Sequence, residues 1–205
     1  MSDPARAPVP PEPTDPGLAD LVSREVSRQM AGVREGLDRE LAALRERTVD
    51  DRAAIVVFSG DLDKVLAAFV IATGAAAAGL ETTVFFTFWG LSALKKKGAG
   101  VGKKALKERM FALMTPGSSR ELGTSKLNFL GLGSRMLRSM MKDKGIATLE
   151  ELMDVARDLG VRFMACTMSM DAMGVTREEL LDGLEYGGVA AYMAEAARSR
   201  VTLFI

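Results

Sequence analysis

Cys166 is the one thiol of this chain and its candidate nucleophile. It is the single cysteine among 205 residues, and the chain contains no histidine. Ser-His-Asp and Cys-His nucleophile arrangements are therefore excluded, as are an internal disulfide and a CxxC redox pair. Sulfur transfer between proteins fits these limits, because a thiolate can hold a sulfane sulfur as a persulfide and pass it to another thiol without a metal or organic cofactor. The alternative is inert packing, since free cysteine is commonly buried as a small apolar residue.

The stretch around Cys166, VRFMACTMSMDAMG, predicts a buried strand that ends in a methionine-rich turn. In an open parallel sheet, ligands bind beyond the carboxyl ends of the strands, at a switch point in strand order. If the strand that precedes Ser59 is the neighbour of the Cys166 strand, both ends contribute to one cleft. We expect turn N–H groups after Cys166 and basic residues from elsewhere to favour the thiolate. The predicted cleft around the catalytic Cys166 consists of Ser59, Gly60, Asp61, Thr167, Met168, Tyr186 and Gly187.

A second chemistry for the same stretch is binding of a soft metal. Thiolate and thioether sulfurs are suitable ligands for Cu(I). The sulfur residues involved would be Cys166, Met168, Met170 and Met173. Core packing of these methionines is the simpler interpretation, and we predict no metal site and no cofactor-binding residues.

Buried strands and helices alternate through the body of the chain, which predicts an α/β fold with a mostly parallel sheet. The run from Ala53 to Ser59 and the run from Glu81 to Phe88 predict strands on either side of an alanine-rich helix that ends at Ala78. Thr148 and Thr176 each begin a helix with a glutamate three residues later, the spacing of a capping box. Further predicted elements are a helix in GGVAAYMAEAARS and a final strand in VTLFI.

The first fifty residues have a different character. Residues 1–17 hold six of the seven prolines, which predicts a disordered tail. Residues 18–50 form an amphipathic helix, predicted to serve in oligomerisation or docking, because apolar residues recur every three or four positions. The apolar stripe consists of Leu18, Val22, Val26, Met30, Val33, Leu37, Leu41 and Leu44. The α/β domain is predicted to span residues 51–205.

Residues 92–147 form a basic, methionine-rich insertion in that domain. They carry 13 Lys and Arg against 3 Asp and Glu, although the net charge of the whole chain is zero. Such a face would steer anionic partners, and its methionines suit a docking or lid role. A membrane-spanning helix is the alternative for the uncharged run from Val65 to Leu80, but this run is shorter than the roughly 20 residues that a span needs.

Several long strings resemble the DsrE/DsrF/DsrH-like family, in particular its longer DsrE-type members that are sometimes labelled peroxiredoxin-family proteins. The strings are VVFSGDLDKVLAAFVIATGAAAAG, FFTFWGLSALKK, FMACTMSMDAMGV, LLDGLEYGGVAAYMAEA and the closing LFI, within roughly residues 53–205. The resemblance implies a doubly wound, flavodoxin-like α/β fold, a homo-oligomer, and a sulfur-relay role with Cys166 as the persulfide carrier. It also implies a TusA-like sulfur carrier or a rhodanese-type sulfurtransferase as partner. A peroxidatic motif of true peroxiredoxins is not present in the sequence.

The sequence therefore predicts a sulfur carrier or sulfurtransferase that relays sulfane sulfur on Cys166 to a partner thiol. The alternative is a non-enzymatic adaptor, oligomeric and membrane-peripheral, that docks through the basic insertion. A third hypothesis, binding of a small molecule or nucleotide at the strand ends, rests on the fold class and weak glycine signals. We expect a cytosolic location, with peripheral membrane contact left open and no nucleic-acid partner.

Overall fold

The computed structural model describes residues 16–47, 49–98, 115–126 and 131–205. It divides into two compact units, one that ends at Thr48 and one that spans Val49–Ile205. Of the predicted proline-rich tail, residues 1–15 lie outside the described residues. In the basic insertion, residues 99–114 and 127–130 also lie outside them.

The first unit contains one long helix, α1 (Pro16–Arg47). The amphipathic helix predicted from the spacing is thus present, and it begins two residues earlier than Leu18. All eight members of the apolar stripe are between 42% and 67% exposed. Within its own unit, α1 therefore buries none of this stripe.

The second unit is built on a parallel sheet. In the described part of the chain its strands are β1 (Asp50–Val57), β2 (Glu81–Phe86), β3 (Arg162–Cys166), β4 (Glu185–Gly187) and β5 (Ser199–Phe204). They are ordered β4-β3-β2-β1-β5, and each neighbouring pair is parallel. The predicted α/β class is confirmed, with helices on both faces of the sheet.

The helices of this unit, in the described ranges, are α2 (Leu62–Ala77), α3 (Leu132–Asp143), α4 (Leu149–Asp158), α5 (Thr167–Met173) and α6 (Val189–Arg198). Short 3-10 helices occupy Phe88–Leu94, Ser119–Glu121 and Arg177–Glu179. The predicted capping box of α4 is present: Thr148 accepts from the Glu151 backbone N–H, and Glu151 accepts from the Thr148 backbone. None of the helices in the described ranges is both long and apolar enough to span a bilayer.

Alternation along the strands divides the core between the two faces of the sheet. On one face, Ile55, Val57, Val84, Phe86 and Phe163 pack against α2, α4 and α5 in the larger cluster. On the other face, a smaller apolar cluster lies under α6. Because β2 and β3 are covered on both faces, they have near-continuous apolar sequences, as expected for parallel strands.

The first strand, predicted over Ala53–Ser59, runs over Asp50–Val57, the last strand begins two residues before VTLFI, at Ser199, and two further elements also differ. The second strand ends at Phe86 rather than Phe88, because Thr87 and Gly90 donate their N–H groups to the carbonyls of Val57 and Phe58 and turn the chain into a 3-10 helix. The helix predicted after Thr176 is only the 3-10 turn Arg177–Glu179, although its capping box is present. It stops there because the Leu181 N–H donates to the Leu94 carbonyl and the Glu179 carbonyl accepts from the Lys96 N–H.

Candidate functional site

Cys166 is the last residue of β3 and immediately precedes α5. Its side chain is 0% exposed. It belongs to the smaller apolar cluster, on the face of the sheet that α6 covers. The other buried members of that cluster are Ala54, Val56, Phe85, Met164 and Tyr192.

The chain leaves β3 and β4 toward opposite faces of the sheet. After β3 it enters α5, whose Met170 and Met173 pack into the larger cluster. After β4 it enters α6, whose Tyr192 and Ala196 pack into the smaller cluster. Adjacent parallel strands whose continuations diverge in this way leave a crevice at their carboxyl ends, which is where open α/β sheets bind ligands. Cys166 lies at this divergence.

Gly187 lies directly beside Cys166, as its register partner across β3 and β4. A Cβ at Gly187 would approach Met164 Sδ to 2.9 Å and Ala191 Cβ to 3.0 Å. The glycine therefore lets α6 begin close against the strand that carries the thiol. The structure brings this predicted cleft residue together with Cys166.

Tyr186 faces the opposite side of the sheet. It pairs with Ala165 rather than with Cys166 and packs against the larger cluster. The Arg177 guanidinium carbon lies 4.3 Å from the centre of its ring. The predicted wall beside the thiol is thus formed by Gly187 and α6, not by Tyr186.

Thr167 and Met168 open α5, so the predicted methionine-rich turn is a short helix. Thr167 is partly buried, whereas Met168 is 52% exposed beside the buried thiol. The Ser169 hydroxyl lies 2.7 Å from the Thr87 hydroxyl, which ties α5 to the end of β2. Met168 is thus the large apolar side chain of α5 that is exposed.

The positions of the sulfur atoms contradict the copper hypothesis. Met170 and Met173 are buried in the larger cluster, whereas Cys166 is buried in the cluster on the other face. The thiolate and two of the three thioethers are separated by the sheet, so they cannot share one ion. In the described residues, no group of three or more His, Cys, Asp and Glu side chains is placed to hold a metal.

Ser59, Gly60 and Asp61 do not share a cleft with Cys166. The strand that precedes them, β1, pairs with β2 and β5, and β2 lies between β1 and β3. The expected neighbourhood of β1 and the cysteine strand is therefore wrong. Parallel strands are spaced about 4.8 Å apart, so the two strand ends are separated by roughly 10 Å.

These three residues instead line a separate cavity of about 440 Å³. The Ser59 hydroxyl donates to the Asp61 carboxylate (2.9 Å), which also pairs with Lys64 (2.9 Å). The hydrogen bond that Lys64 donates to the Asp61 carboxylate raises the pKa of Lys64. The remaining lining residues are Phe58, Trp89, Ser92, Pro116, Gly123 and Thr124.

Residues 115–126 of the basic insertion close one side of this cavity. The Gly123 carbonyl accepts from the Leu62 N–H at the start of α2 (2.7 Å), and Ser125 donates its N–H to Asp63 at 2.8 Å and its hydroxyl to the same carboxylate. Burial of Asp63 opposes its ionisation, but the Ser125 hydrogen bonds outweigh it, so the pKa of Asp63 lies below its usual value. This part of the insertion is therefore anchored to the α/β unit.

We expected basic residues from elsewhere in the chain to favour the thiolate, but two lysines of the basic insertion have other partners. Lys95 donates to the Thr115 hydroxyl (3.1 Å) and the Pro116 carbonyl (3.3 Å). Lys96 pairs with Asp182 at 2.8 Å. They hold the insertion rather than a site at Cys166.

Two features that enclose the thiol were not predicted from the sequence. Tyr192 of α6 stacks on Phe85 with ring centres 4.9 Å apart, and burial raises the pKa of Tyr192. Helical spacing of Tyr192 and Ala196 could have indicated this inward face. Glu195 binds both Arg52 (3.2 Å) and Arg162 (2.8 Å) and so fastens α6 to the sheet. No local pattern indicates that contact, because Glu195 is 143 residues from Arg52.

The second unit is thus a parallel α/β domain that encloses one thiol at the end of β3. The chain belongs to the DsrE/DsrF/DrsH-like family, whose model matches residues 49–204. The suspected family is thereby confirmed, and α1 lies outside the matched residues.

Two relatives match most of this chain. The uncharacterized protein YrkE of Bacillus subtilis is 47% identical over 154 residues, which cover 75% of this chain and 96% of that protein. The sulfur carrier protein DsrE2 of Allochromatium vinosum is 34% identical over 163 residues, which cover 75% of this chain and 98% of that protein. The family therefore includes a protein named as a sulfur carrier. Among solved structures, the ychN protein from E. coli matches at 11% identity with a TM-score of 0.44, covering 75% of this chain and 98% of its own.

Proposed function

We propose that this protein carries sulfane sulfur as a persulfide on Cys166 and passes it to a thiol of a partner protein. The observation that carries the proposal is the place of the single thiol, at the carboxyl end of β3 where the chain diverges. The relationship to a named sulfur carrier supports it. With no second cysteine and no histidine in the sequence, the sulfur atom must arrive from and leave to another molecule.

The proposed reaction has two exchange steps. The Cys166 thiolate attacks the outer sulfur of a donor persulfide, the donor S–S bond breaks, and the donor leaves as a thiolate. An acceptor thiolate then attacks the outer sulfur of the Cys166 persulfide, and the Cys166 thiolate leaves. Each step forms one S–S bond and breaks one, so no net oxidation or reduction takes place and no cofactor is required.

Burial of the thiol sets a condition on this exchange. Since Cys166 is 0% exposed, an in-line attack requires α5 or α6 to move away from the end of β3. The proposed opening lies on the α6 side, where the smaller cluster holds the thiol with few side chains. Closure afterwards would shield the persulfide from solvent thiols between donor and acceptor.

The proposed partners are a rhodanese-type sulfurtransferase or a TusA-like carrier. A partner would dock at the carboxyl edge of the sheet, where Met168 is 52% exposed beside the buried thiol and Val189 and Met193 are 52% and 53% exposed on α6. Apolar side chains next to a reactive group suit brief contacts with a second protein.

The relay is tested by loading the protein from a persulfidated rhodanese, removing the donor, and adding a TusA-like acceptor. We expect the acceptor to gain one sulfur, and the gain to require the acceptor cysteine. A Cys166→Ser protein should transfer nothing. If acceptor labelling is equal with wild type and Cys166→Ser, the relay through Cys166 is excluded.

A second candidate function is peripheral docking through the basic insertion. Helix α3 exposes Leu132, Met136 and Met140 at 64%, 60% and 45% while Met141 on its other side is buried. An apolar stripe on a basic segment suits an anionic membrane surface. Co-flotation with anionic vesicles should fall in Met136→Glu and remain unchanged in the buried-side control Met141→Leu, and absence of flotation by wild type would exclude this function.

A further inference from the structure

The apolar stripe of α1 repeats every eleven residues. Its spacings from Val22 to Leu44 are four, four, three, four, four and three, so Val22, Val33 and Leu44 are equivalent positions. An eleven-residue repeat has 3.67 residues per turn and keeps a straight or slightly right-handed stripe in register with a partner helix. A stripe this long and this exposed is typical of an interface between helices.

The charges of α1 separate into two groups. On the face away from the stripe, ion pairs within the helix join Arg24 to Asp20 (2.7 Å) and Arg39 to Glu35 (3.2 Å). On one flank of the stripe, Arg34 and Asp38 make no ion pair with any residue that the structure describes. They lie four residues apart and on the same side of the helix. Opposite charges are therefore available on this flank for a second helix.

We propose that α1 of one chain binds α1 of a second copy in an antiparallel pair. A twofold pair is isologous, so residue i contacts residue j of the partner chain and residue j contacts residue i. In an antiparallel pair the same flank of both helices meets. A two-fold axis near residue 35 then sets Arg34 of each chain against Asp38 of the other, and forms two ion pairs.

The same axis matches the apolar residues. The spacing from Val26 to Leu44 is almost the same when read in either direction, so each member meets a member of the second chain. The facing pairs are Val26 with Leu44, Met30 with Leu41, and Val33 with Leu37. Each pair forms twice, which covers six of the exposed stripe residues in each chain.

A parallel pair leaves Arg34 and Asp38 without opposite charges. In that arrangement opposite flanks meet, and Arg34 faces a position about five residues before it in the partner. That position is Gln29, which is uncharged and already donates to Glu25. Asp38 would then have no cation opposite. Arg34 and Asp38 thus find opposite charges in the antiparallel pair and not in the parallel one.

Disulfide cross-linking of the full chain tests the orientation. In a Cys166→Ser background, Val33→Cys chains are mixed with Leu37→Cys chains and oxidised mildly. We expect the mixed cross-link to exceed either self-cross-link severalfold. An Ala31→Cys chain, on the opposite face of α1, is the matched control. Self-cross-links that exceed the mixed product would show a parallel pair, and cross-linking no greater than that of the control would show that α1 packs elsewhere; either result overturns the proposal.

A charge exchange tests the ion pairs. Arg34→Asp and Asp38→Arg each place like charges opposite one another twice per dimer. Each should therefore weaken association of the two chains, and lower the yield of the cross-link between Val33→Cys and Leu37→Cys chains, roughly tenfold. The double variant restores opposite charges and should regain wild-type cross-linking. Exchanging Glu35 and Arg39, which pair within the helix, is the control. If the double variant stays as weak as the single ones while helix content is unchanged, the proposed pairing is wrong.

Discussion

Cys166 and Gly187 lie side by side as register partners at the carboxyl ends of β3 and β4. The chain turns to opposite faces of the sheet directly after them. Gly187 also lies within van der Waals contact of the strand and of α6, because a Cβ there would meet both Met164 and Ala191. The absence of a side chain at Gly187 therefore lets the start of α6 lie close to the strand that carries the thiol.

Gly187→Ala should lower the free energy of unfolding by about 1–3 kcal/mol, the usual cost of overpacking a filled site. The reason is the 3.0 Å approach of the new Cβ to Ala191 Cβ, which α6 can relieve only by moving. Chemical denaturation measures this change. Gly188→Ala is the matched control, because nothing lies within 4 Å of its added Cβ. Equal stability of the two variants would contradict the close packing.

Glu195→Gln should speed the reaction of Cys166 with an aromatic disulfide reagent roughly three- to tenfold. This corresponds to a decrease of about 1 kcal/mol in the free energy needed to move α6 away from the thiol. Glu195 is the residue of α6 that binds both Arg52 and Arg162. Desolvation lowers the pKa of Arg162, but its hydrogen bonds to Glu195 and Glu185 and the negative charges of both carboxylates together outweigh that effect and raise the pKa, so Arg162 stays charged. Loss of the Glu195 charge therefore weakens the hold on α6.

The control for this labelling experiment is Asp51→Asn. Asp51 pairs with Arg200 at 2.9 Å, but both side chains are well exposed, at 68% and 59%, so loss of the pair should leave the rate nearly unchanged. If Glu195→Gln labels no faster than wild type, then α6 does not gate the thiol.

Asp63→Asn should loosen residues 115–126 at neutral pH, since Ser125 loses a charged acceptor. The pKa of Asp63 is lower in the folded protein than in the unfolded chain, where it is about 3.9. The ionised form therefore stabilises the fold above that value, and the contribution is lost as pH falls through the lower, folded pKa. Hydrogen exchange of the segment should differ between wild type and Asp63→Asn at pH 7, and the difference should vanish in acid. A difference that persists below the folded pKa would show that the carboxylate charge is not its source.

Gly90→Ala should destabilise the protein by about 3 kcal/mol or more. A Cβ at Gly90 would lie 2.1 Å from the Val57 carbonyl oxygen, so the 3-10 helix after β2 would have to leave the end of β1. Gly74→Ala, in α2 where nothing lies within 4 Å, should instead be neutral or stabilising by up to about 1 kcal/mol. Thermal unfolding of both variants distinguishes the two effects, and equal melting temperatures would contradict the contact.

The sequence predicted the elements whose pattern is local. The apolar run before Ser59, the alanine-rich α2 and the capping box at Thr148 are all present, because hydrophobic periodicity and capping depend on neighbours in the chain. The second strand was placed two residues too long, since the bonds that end it come from β1.

The site was predicted less completely for the same reason. The position of Cys166 at a strand end follows from VRFMAC, but strand order does not follow from any one stretch. Because β2 lies between β1 and β3, Ser59 lines a cavity that does not include Cys166. Tyr186 and Gly187 do not both line the cleft, because they are successive residues of a strand, β4, that was not predicted, and successive residues face opposite sides of a sheet. Glu195 acts across the sheet on Arg52 and Arg162, and such contacts have no sequence pattern.

Intact-mass analysis of the purified protein after exposure to a persulfidated donor tests the central claim most directly. We predict a single adduct of about 32 Da, one sulfur atom, that a reductant removes and that Cys166→Ser does not form. Wild-type protein that gains no sulfur while a known carrier is fully loaded would contradict the account, as would an equal adduct on Cys166→Ser.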